Sequence, residues 1–272
     1  MAQIAEEIER AALEDLHAAA TPEIRQELGI AGPQIGSAFV SIARKLPATA
    51  IVINRAIGLG LSIPETEKTV SEIVEAFRSA DVKRYFVQIH PEGQPNELEH
   101  WLISSGLQKA RGWQKFSRGR ESLPELKTTA LSVREIAHCD AEASAAIVCD
   151  AFDLGEAARP WLQTLPGRER WHVFMSFDGD RPAGTGALFI DGDFAWTDFG
   201  ATAPAYRGRG SQSALLRLRV EHALDHGCKQ VFTCTGEAVP GDPQHSYSNI
   251  LRCGFKEDYV RSNYSPPSPK GT

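Results

Sequence analysis

The chain has 272 residues, 42% of them hydrophobic, and its length favours two domains of the usual size of roughly 100–200 residues each. Its formal net charge of −6 argues against nucleic-acid binding, and no apolar run approaches the length of a membrane span. The acidic start lacks the segments of a signal peptide and the five cysteines show no CxxC spacing, so we expect a cytoplasmic protein with reduced thiols and no metal.

The first half of the chain alternates between helical and strand-like segments. Four apolar residues recur at the i, i+3, i+4 and i+7 spacing of one helix face, namely Val70, Ile73, Val74 and Phe77. The segment 83–87 that follows them is typical of a strand. A further helix is predicted to end at Gly106, before a segment rich in aromatic residues that also indicates a strand.

A break in this pattern lies between residues 117 and 128, where a glycine between two arginines and a Leu-Pro pair interrupt the alternation. We therefore place a first domain at residues 1–120 and a second at 128–264. The last residues, 265–272, are rich in proline and are predicted to be disordered, because proline supports neither a helix nor a strand ladder.

The second half begins with a predicted strand at 130–136, and two helical stretches follow at 140–152 and 156–165. An aromatic run from Phe194 to Thr202 then indicates another strand. Asp198 is the only ionisable residue in the middle of that strand, which makes its carboxylate a candidate for chemistry.

A glycine-rich loop, Pro204–Gln212, joins this strand to a helix that begins near Ser213. Gly208 and Gly210 let the backbone turn tightly and approach an anion closely. The helix that follows presents unpaired N–H groups and the positive end of its dipole, and two arginines in the loop add charge. The loop therefore predicts a phosphate-binding site.

Other glycine-containing loops fit less well. A P-loop ends in Gly-Lys-Ser/Thr, which does not occur here, and the dinucleotide fingerprint needs a third glycine or alanine where this chain has Ser213. Arg-Gly units also occur in RNA-binding tails, but those are long and basic. A plain connection with surface arginines would leave the ordered segments on both sides unexplained.

Beyond the loop, a helix ends at Gly227, a strand lies at 230–235, a short helix at 246–252, and Gly254-Phe255 opens a last strand. The apolar face of the first of these helices consists of Leu216, Val220, Ala223 and Leu224.

His222 and His226 stand four residues apart on that helix, a spacing that could place two imidazoles on one metal ion. Near a helix C-terminus, however, partial negative charge favours imidazolium. The sequence also contains no HExxH, GxSxG or Cys-His constellation. We therefore interpret both histidines as solvated surface residues.

The loop resembles the pyrophosphate loop of the GNAT superfamily of acetyl-CoA-dependent N-acetyltransferases. The family pattern, Gln/Arg-x-x-Gly-x-Gly/Ala, falls on residues 205–210, with both glycines matching and the first position departing from it. The order of elements over roughly 128–264 is similar to the second half of a GNAT fold. The resemblance implies an α/β (α+β) fold, with a mixed and mostly antiparallel sheet flanked by helices, and acetyl-CoA as co-substrate. The cofactor-binding residues that it implies are Ala201, Thr202, Arg207, Gly208, Arg209, Gly210, Ser211 and Gln212.

The first half of the chain repeats the second at a distance of 146 residues, which places segment 83–87 on segment 229–233. We expect two GNAT-like domains in tandem, the alternative being chance similarity of two αβ units. The first copy lacks the glycine pair, and Ser62 and Glu65 form a predicted capping box that satisfies the helix N-terminus internally. We therefore expect one acetyl-CoA site per chain.

The resemblance also implies direct attack of a neutral amine on the acetyl thioester. This reaction needs a base, a donor for the oxyanion and a proton for the thiolate. Asp198 matches the position of the family's frequent glutamate base, although a strand carboxylate can also be structural. The usual thiolate-protonating tyrosine is replaced by Ile250. Tyr247, one turn earlier, could substitute for it, although an aromatic residue at that spacing also packs.

In the GNAT family the helical pair after residue 130 often shapes the acceptor pocket. We expect the first domain to be either a scaffold or a wall of that pocket. The candidate lining residues, each of which could instead be part of a core, are Phe152, Trp161 and Trp171 in the second domain and Asn54, Arg55 and Trp113 in the first.

The sequence thus predicts an N-acetyltransferase for a small amine, an amino acid or an N-terminus. We expect a monomer or homodimer without nucleic-acid or membrane partners. The departure at Ile250 keeps a second class open, an acyl-CoA-binding sensor or regulatory module with little turnover.

Overall fold

The computed structural model describes residues 2–125 and 128–267, within which eight α-helices and twelve strands are formed. The helices are α1 Ala2–Ala19, α2 Pro22–Leu28, α3 Glu67–Ser79, α4 Leu98–Ser104, α5 Ala141–Ala151, α6 Arg159–Leu162, α7 Ser211–Asp225 and α8 His245–Arg252. The strands are β1 Ile30–Ala31, β2 Gln34–Ile35, β3 Ala38–Ala43, β4 Arg55–Leu59, β5 Phe86–Ile89, β6 Gln108–Arg118, β7 Ser132–Glu135, β8 Trp171–Asp178, β9 Arg181–Asp191, β10 Phe194–Thr202, β11 Gln230–Gly236 and β12 Lys256–Ser265.

The chain divides into two compact units. The N-terminal unit comprises Met1–Gln114 and Tyr259–Thr272, and the C-terminal unit comprises Lys115–Asp258. None of the helices in the described residues is long and apolar enough to cross a membrane.

In the N-terminal unit, β4 pairs with β3 in antiparallel and with β5 in parallel orientation, and β12 pairs antiparallel with β5. Helix α3 buries the four apolar residues that the sequence pattern assigned to one face. They join Val40, Ala56, Val87 and Tyr264 of the strands in one hydrophobic core. The amphipathic helix predicted from this spacing is therefore confirmed.

The N-terminus of α3 differs from the expectation. Thr66 is the N-cap, and its hydroxyl accepts a hydrogen bond of 3.2 Å from the backbone N–H of Thr69. Ser62 is exposed ahead of the helix, and the buried Glu65 carboxylate accepts the backbone N–H of Ser37 at 2.5 Å. The predicted capping box of Ser62 and Glu65 was therefore wrong, because Glu65 satisfies a donor that is distant in sequence.

In the C-terminal unit, β7, β8, β9 and β10 pair in that order and antiparallel, and β11 adds to β10 in parallel. This mixed and mostly antiparallel sheet confirms the predicted fold class. Helix α7 packs on it through Leu216, Val220 and Ala223, and Ile250 of α8 belongs to the same core.

The two units differ from the predicted domain limits in the assignment of β6 and β12. Residues 259–264 were placed in the second domain, but Ser262 pairs with Ile89 of β5 and this segment belongs to the N-terminal unit. Residues 115–120, placed in the first domain, belong to the C-terminal unit. Ser265, placed in the disordered tail, ends β12, and the rest of that prediction from residue 268 onward lies outside the described residues.

Candidate active site

The glycine loop forms an open turn at the start of α7. A short 3₁₀ turn at Pro204–Tyr206 leads into Gly208 and Gly210, whose φ angles of 76° and 85° lie in the left-handed region that favours glycine. Gly210 is the N-cap of α7, and no side chain caps this end of the helix. The first N–H groups of α7 are therefore oriented to receive an anion.

The two loop arginines have different surroundings. Both terminal nitrogens of Arg209 donate to the Asp178 carboxylate, at 2.9 and 3.0 Å, and this pairing lowers the pKa of Asp178 and raises that of Arg209. Arg207 is exposed, and its guanidinium has no hydrogen-bond or ion-pair partner among residues 2–125 and 128–267. Arg207 is thus the loop cation that remains available to a ligand.

The next predicted cofactor residues come together at the first turn of α7. The Ser211 hydroxyl is buried, 2.7 Å from that of Ser176 on β8. The Gln212 side-chain amide donates to the carbonyl of Ala201 at 2.6 Å and to the hydroxyl of Thr202 at 3.1 Å. Because these side chains bond to the sheet, their contribution to a cofactor would come from backbone N–H groups.

Strand β10 separates from its neighbours close to this turn. Its ladder with β11 covers only Phe194–Trp196, and its ladder with β9 is broken between Asp198 and Ala201. Phe199, inside the break, has a φ of 49°, an uncommon value for a residue other than glycine. The result is a bulge in which backbone polar groups leave the sheet pairing.

Asp198 begins the bulge and is partly buried. Its carboxylate accepts the indole N–H of Trp196 at 3.1 Å and the backbone N–H of Phe199 at 2.8 Å. Both contacts hold the carboxylate in one orientation.

The buried Arg219 of α7 supports the same bulge, and the sequence did not reveal this role. Its guanidinium donates to the carbonyls of Asp198 and Ala187, both at 3.1 Å. Burial lowers the pKa of Arg219 to about 10, so it remains a cation at neutral pH. A Cβ on Gly186 would lie 2.7 Å from the Arg219 Cζ, so this glycine leaves the space that the guanidinium fills. The only sequence signal was an arginine next to the apolar face of a helix.

Tyr247 of α8 is engaged elsewhere. Its hydroxyl lies 2.5 Å from the Glu257 carboxylate, and its ring packs edge-on against Phe116. Partial burial and the neighbouring Glu257 raise the pKa of Tyr247 to about 12, so the phenol keeps its proton at neutral pH. Ile250, at the position of the family's tyrosine, is buried in the core.

A small cleft adjoins the bulge. Its lining residues come from α5, α6, the turn after α6, and strands β8 to β10, and are Ser144, Ala145, Val148, Leu162, Leu165, Val173, Thr185, Ala187 and Phe199. Phe152 packs edge-on against Phe199, with ring centroids 6.1 Å apart. Trp161 and Trp171 are almost fully buried and do not line the cleft. Phe152 does not line it either, but it contacts the lining residue Phe199.

The three candidates in the N-terminal unit are held by internal contacts. The buried Asn54 side chain accepts the backbone N–H of Ala43 at 2.8 Å. The Arg55 guanidinium pairs with Glu9 and lies 5.2 Å from the centre of the Trp113 ring. These contacts indicate structural roles within that unit.

Residues 138–245 match the family model described as "Acetyltransferase (GNAT) family". No curated protein matches the sequence.

Solved structures with the same fold cover most of the chain. A GCN5-related N-acetyltransferase from Kribbella flavida superposes with a TM-score of 0.67 over 98% of this chain and 96% of its own, at 16% identity. One from Sphaerobacter thermophilus gives 0.58 over 75% and 67%, also at 16% identity. A tandem GNAT protein from the clavulanic acid biosynthesis pathway gives 0.51 over 74% and 70%, at 15% identity. At these identities the likeness shows the fold, including that of the N-terminal half.

Proposed function

Because residues 138–245 belong to the GNAT family of acetyltransferases, we propose that this N-acetyltransferase passes the acetyl group of acetyl-CoA directly to a small amine, an amino acid or an N-terminus. The observation that carries the proposal is the uncapped N-terminus of α7 behind Gly208 and Gly210, next to the bulge of β10. The N-terminus of α7 would supply donors for a pyrophosphate. The bulge of β10 supplies backbone that lies outside the β9 ladder, beside the Asp198 carboxylate.

The residues present suit acetyl-CoA as co-substrate. A Cβ on Gly208 would meet nothing within 4 Å, so the space beside the turn is open, and Arg207 supplies an uncommitted positive charge. The backbone N–H groups of Ser211 and Gln212 would bind the pyrophosphate. The open stretch of β10 from Asp198 to Ala201 would receive the thioester end.

The chemistry has three requirements, and Asp198 suits the first. An ammonium must lose its proton before it can attack, and the ionised Asp198 carboxylate can accept that proton directly or through water. The Trp196 and Phe199 donors hold the carboxylate in one orientation. We therefore assign Asp198 the role of a positioned base.

The other two requirements concern the oxyanion and the thiolate. The proposed donor to the oxyanion that forms when the amine attacks is a backbone N–H of the bulge other than that of Phe199, which donates to Asp198. For the thiolate, whose ordinary thiol pKa is near 8.5, departure without a protein acid is feasible. Tyr247 would act as the acid only after leaving the hydrogen bond that it makes with Glu257.

A direct test is the release of CoA from acetyl-CoA in the presence of a panel of amines. The panel contains polyamines, aryl amines, amino acids and short peptides, and chromatography detects CoA and the acetylated product together. We expect product with at least one class of primary amine and none with the matched tertiary amine, which cannot form a neutral amide. Binding of acetyl-CoA without product from any acceptor would contradict the proposal and support a sensor instead.

A further inference from the structure

Three imidazoles meet near the C-terminal end of α7. His172 of β8 faces His222 of α7 and His226, the C-cap residue of that helix, with ring centroids 4.2 Å and 5.3 Å away. The rings of His222 and His226 are 4.0 Å apart. One ring nitrogen from each histidine lies within 4.8 Å of the other two. The pair spaced four apart on the helix therefore acquires a third member from a strand 50 residues earlier in the chain.

Two of the rings are held in the form that suits a metal ligand. The Nδ1 of His226 lies 2.7 Å from the backbone carbonyl of His222, and the Nδ1 of His172 lies 2.8 Å from the Glu135 carboxylate. A carbonyl and an ionised carboxylate only accept hydrogen bonds, so both Nδ1 atoms carry the proton. In this tautomer each ring presents a lone pair on Nε2.

The third ring is ready for the same role. The Nε2 of His222 is buried and has no hydrogen-bond partner among the described residues. The buried nitrogen therefore lacks the partner that such atoms normally have.

We propose that His172, His222 and His226 bind one divalent transition-metal ion, with Zn²⁺ as the ion whose chemistry suits three imidazoles and an open fourth position. Two histidines at i and i+4 on a helix with a third ligand from elsewhere is an established arrangement for Zn²⁺. Bonds of about 2.0–2.1 Å require nitrogens about 3.3 Å apart, so small side-chain rotations complete the site. His226 is exposed, which leaves the fourth position to water.

Glu135 serves this site as the partner of a ligand. A carboxylate that accepts the second N–H of a coordinating histidine fixes the ring and raises its basicity. The ion would fasten β7 and β8 to the end of α7. Because His222 and His226 lie 11 and 15 residues after Ser211, the rise of about 1.5 Å per residue places the ion roughly 17–22 Å along the helix axis from the first residue of α7. We therefore assign it a stabilising role that is separate from acetyl transfer.

The test is a zinc titration of the full chain, prepared without a polyhistidine tag and stripped with a chelator, against a chromogenic zinc indicator. We expect one Zn²⁺ per chain and a rise in unfolding temperature on addition of Zn²⁺. His172→Ala, His222→Ala and His226→Ala should each weaken binding at least ~100-fold, and Glu135→Gln about 10-fold, as the loss of a ligand's partner does. His138→Ala and His100→Ala, which change exposed histidines elsewhere, serve as controls.

Two further measurements keep the outcome decisive. Co²⁺ in place of Zn²⁺ should give the visible absorption of a tetrahedral nitrogen site, and that absorption should be absent in the folded variant that lacks all three histidines. If the triple variant binds Zn²⁺ as tightly as the wild type, or if neither ion binds the wild type, the proposal is overturned. Acetyl-CoA affinity, measured in parallel, should not depend on Zn²⁺.

Discussion

The side-chain amide of Gln212 donates a 2.6 Å hydrogen bond to the backbone carbonyl of Ala201, and thereby joins the first turn of α7 to the end of β10. The first turn of α7 carries the proposed pyrophosphate donors, and β10 carries Asp198. In the proposed complex, this hydrogen bond would fix the spacing between the pyrophosphate and thioester ends of acetyl-CoA, although the Gln212 side chain need not touch the ligand. Gln212 can therefore contribute to the site by fixing the position of α7 relative to β10, without direct contact with the ligand.

Gly210→Glu should weaken acetyl-CoA binding by several kcal/mol, since each lost charge-assisted hydrogen bond costs about 1.5–3 kcal/mol and the new carboxylate repels the pyrophosphate. Isothermal calorimetry measures the effect. Gly192→Glu is the matched control, because Gly192 also has a left-handed φ, of 56°, in an exposed turn with open space around its Cα. Equal affinities of the two folded variants would contradict the assignment of the loop.

The chain should bind one acetyl-CoA, because the helix of the N-terminal unit that corresponds to α7 is capped by its own Thr66 and follows no glycine pair. Native mass spectrometry with excess acetyl-CoA should show a single adduct per chain, and Gly210→Glu should remove it. A second adduct that survives Gly210→Glu would place a cofactor in the N-terminal unit and refute this expectation.

Asp198→Asn should lower turnover by about 10²–10⁴-fold while the affinity for acetyl-CoA stays similar, because the amide keeps the shape but not the basicity of the carboxylate. The measurement requires an accepted amine and a pH–rate profile for both proteins. Asp180→Asn, in the exposed turn between β8 and β9, is the control. Full activity of Asp198→Asn at every pH would mean that water or another group takes the proton.

Gly186→Ala should destabilise the C-terminal unit by about 1–3 kcal/mol, because the new methyl group would overlap the buried Arg219 guanidinium. In an Arg219→Met background the same change should cost less, since the methionine side chain can move aside. Chemical denaturation of the four proteins gives the coupling energy, which should exceed about 0.5 kcal/mol. Additive effects would show that Gly186 does not act through Arg219.

The stability of the N-terminal unit should fall as the pH drops below about 6.5. Burial lowers the pKa of His17 to about 3, with a smaller contribution from Arg25, so the unfolded chain binds a proton that the folded chain excludes. The linkage amounts to about 2 kcal/mol between pH 7.5 and pH 5. Urea denaturation should show this loss in the wild type and in His100→Gln, an exposed control, but much less of it in His17→Gln. Identical pH dependence in all three proteins would exclude His17 as the cause.

Much of the fold was predictable because local patterns and tertiary contacts agree. The apolar faces of α3 and α7 followed from helical spacing. The turn followed from the pair Gly208 and Gly210, because the positive φ angles that it needs are easily adopted only by glycine. These features depend on a few neighbouring residues, so the sequence alone was sufficient.

The remaining features depend on contacts between distant residues. Nothing near Arg209 reveals that Asp178 pairs with it, and nothing near His222 reveals His172. The assignment of residues 259–264 failed for the same reason, since a strand's sequence does not state which edge it joins.

The buried ion pairs that Glu6 and Glu9 of α1 form with Arg261 affect the order in which the chain can fold during synthesis. Arg261 donates to Glu6 at 2.7 Å and to Glu9 at 2.5 Å, and all three side chains are nearly inaccessible to solvent. Glu9 also pairs with Arg55, which is translated early, but Glu6 acquires its arginine only after every residue of the C-terminal unit has been translated. On the ribosome, therefore, the later half can finish folding first, while the earlier half must keep the Glu6 carboxylate hydrated until the last strand emerges.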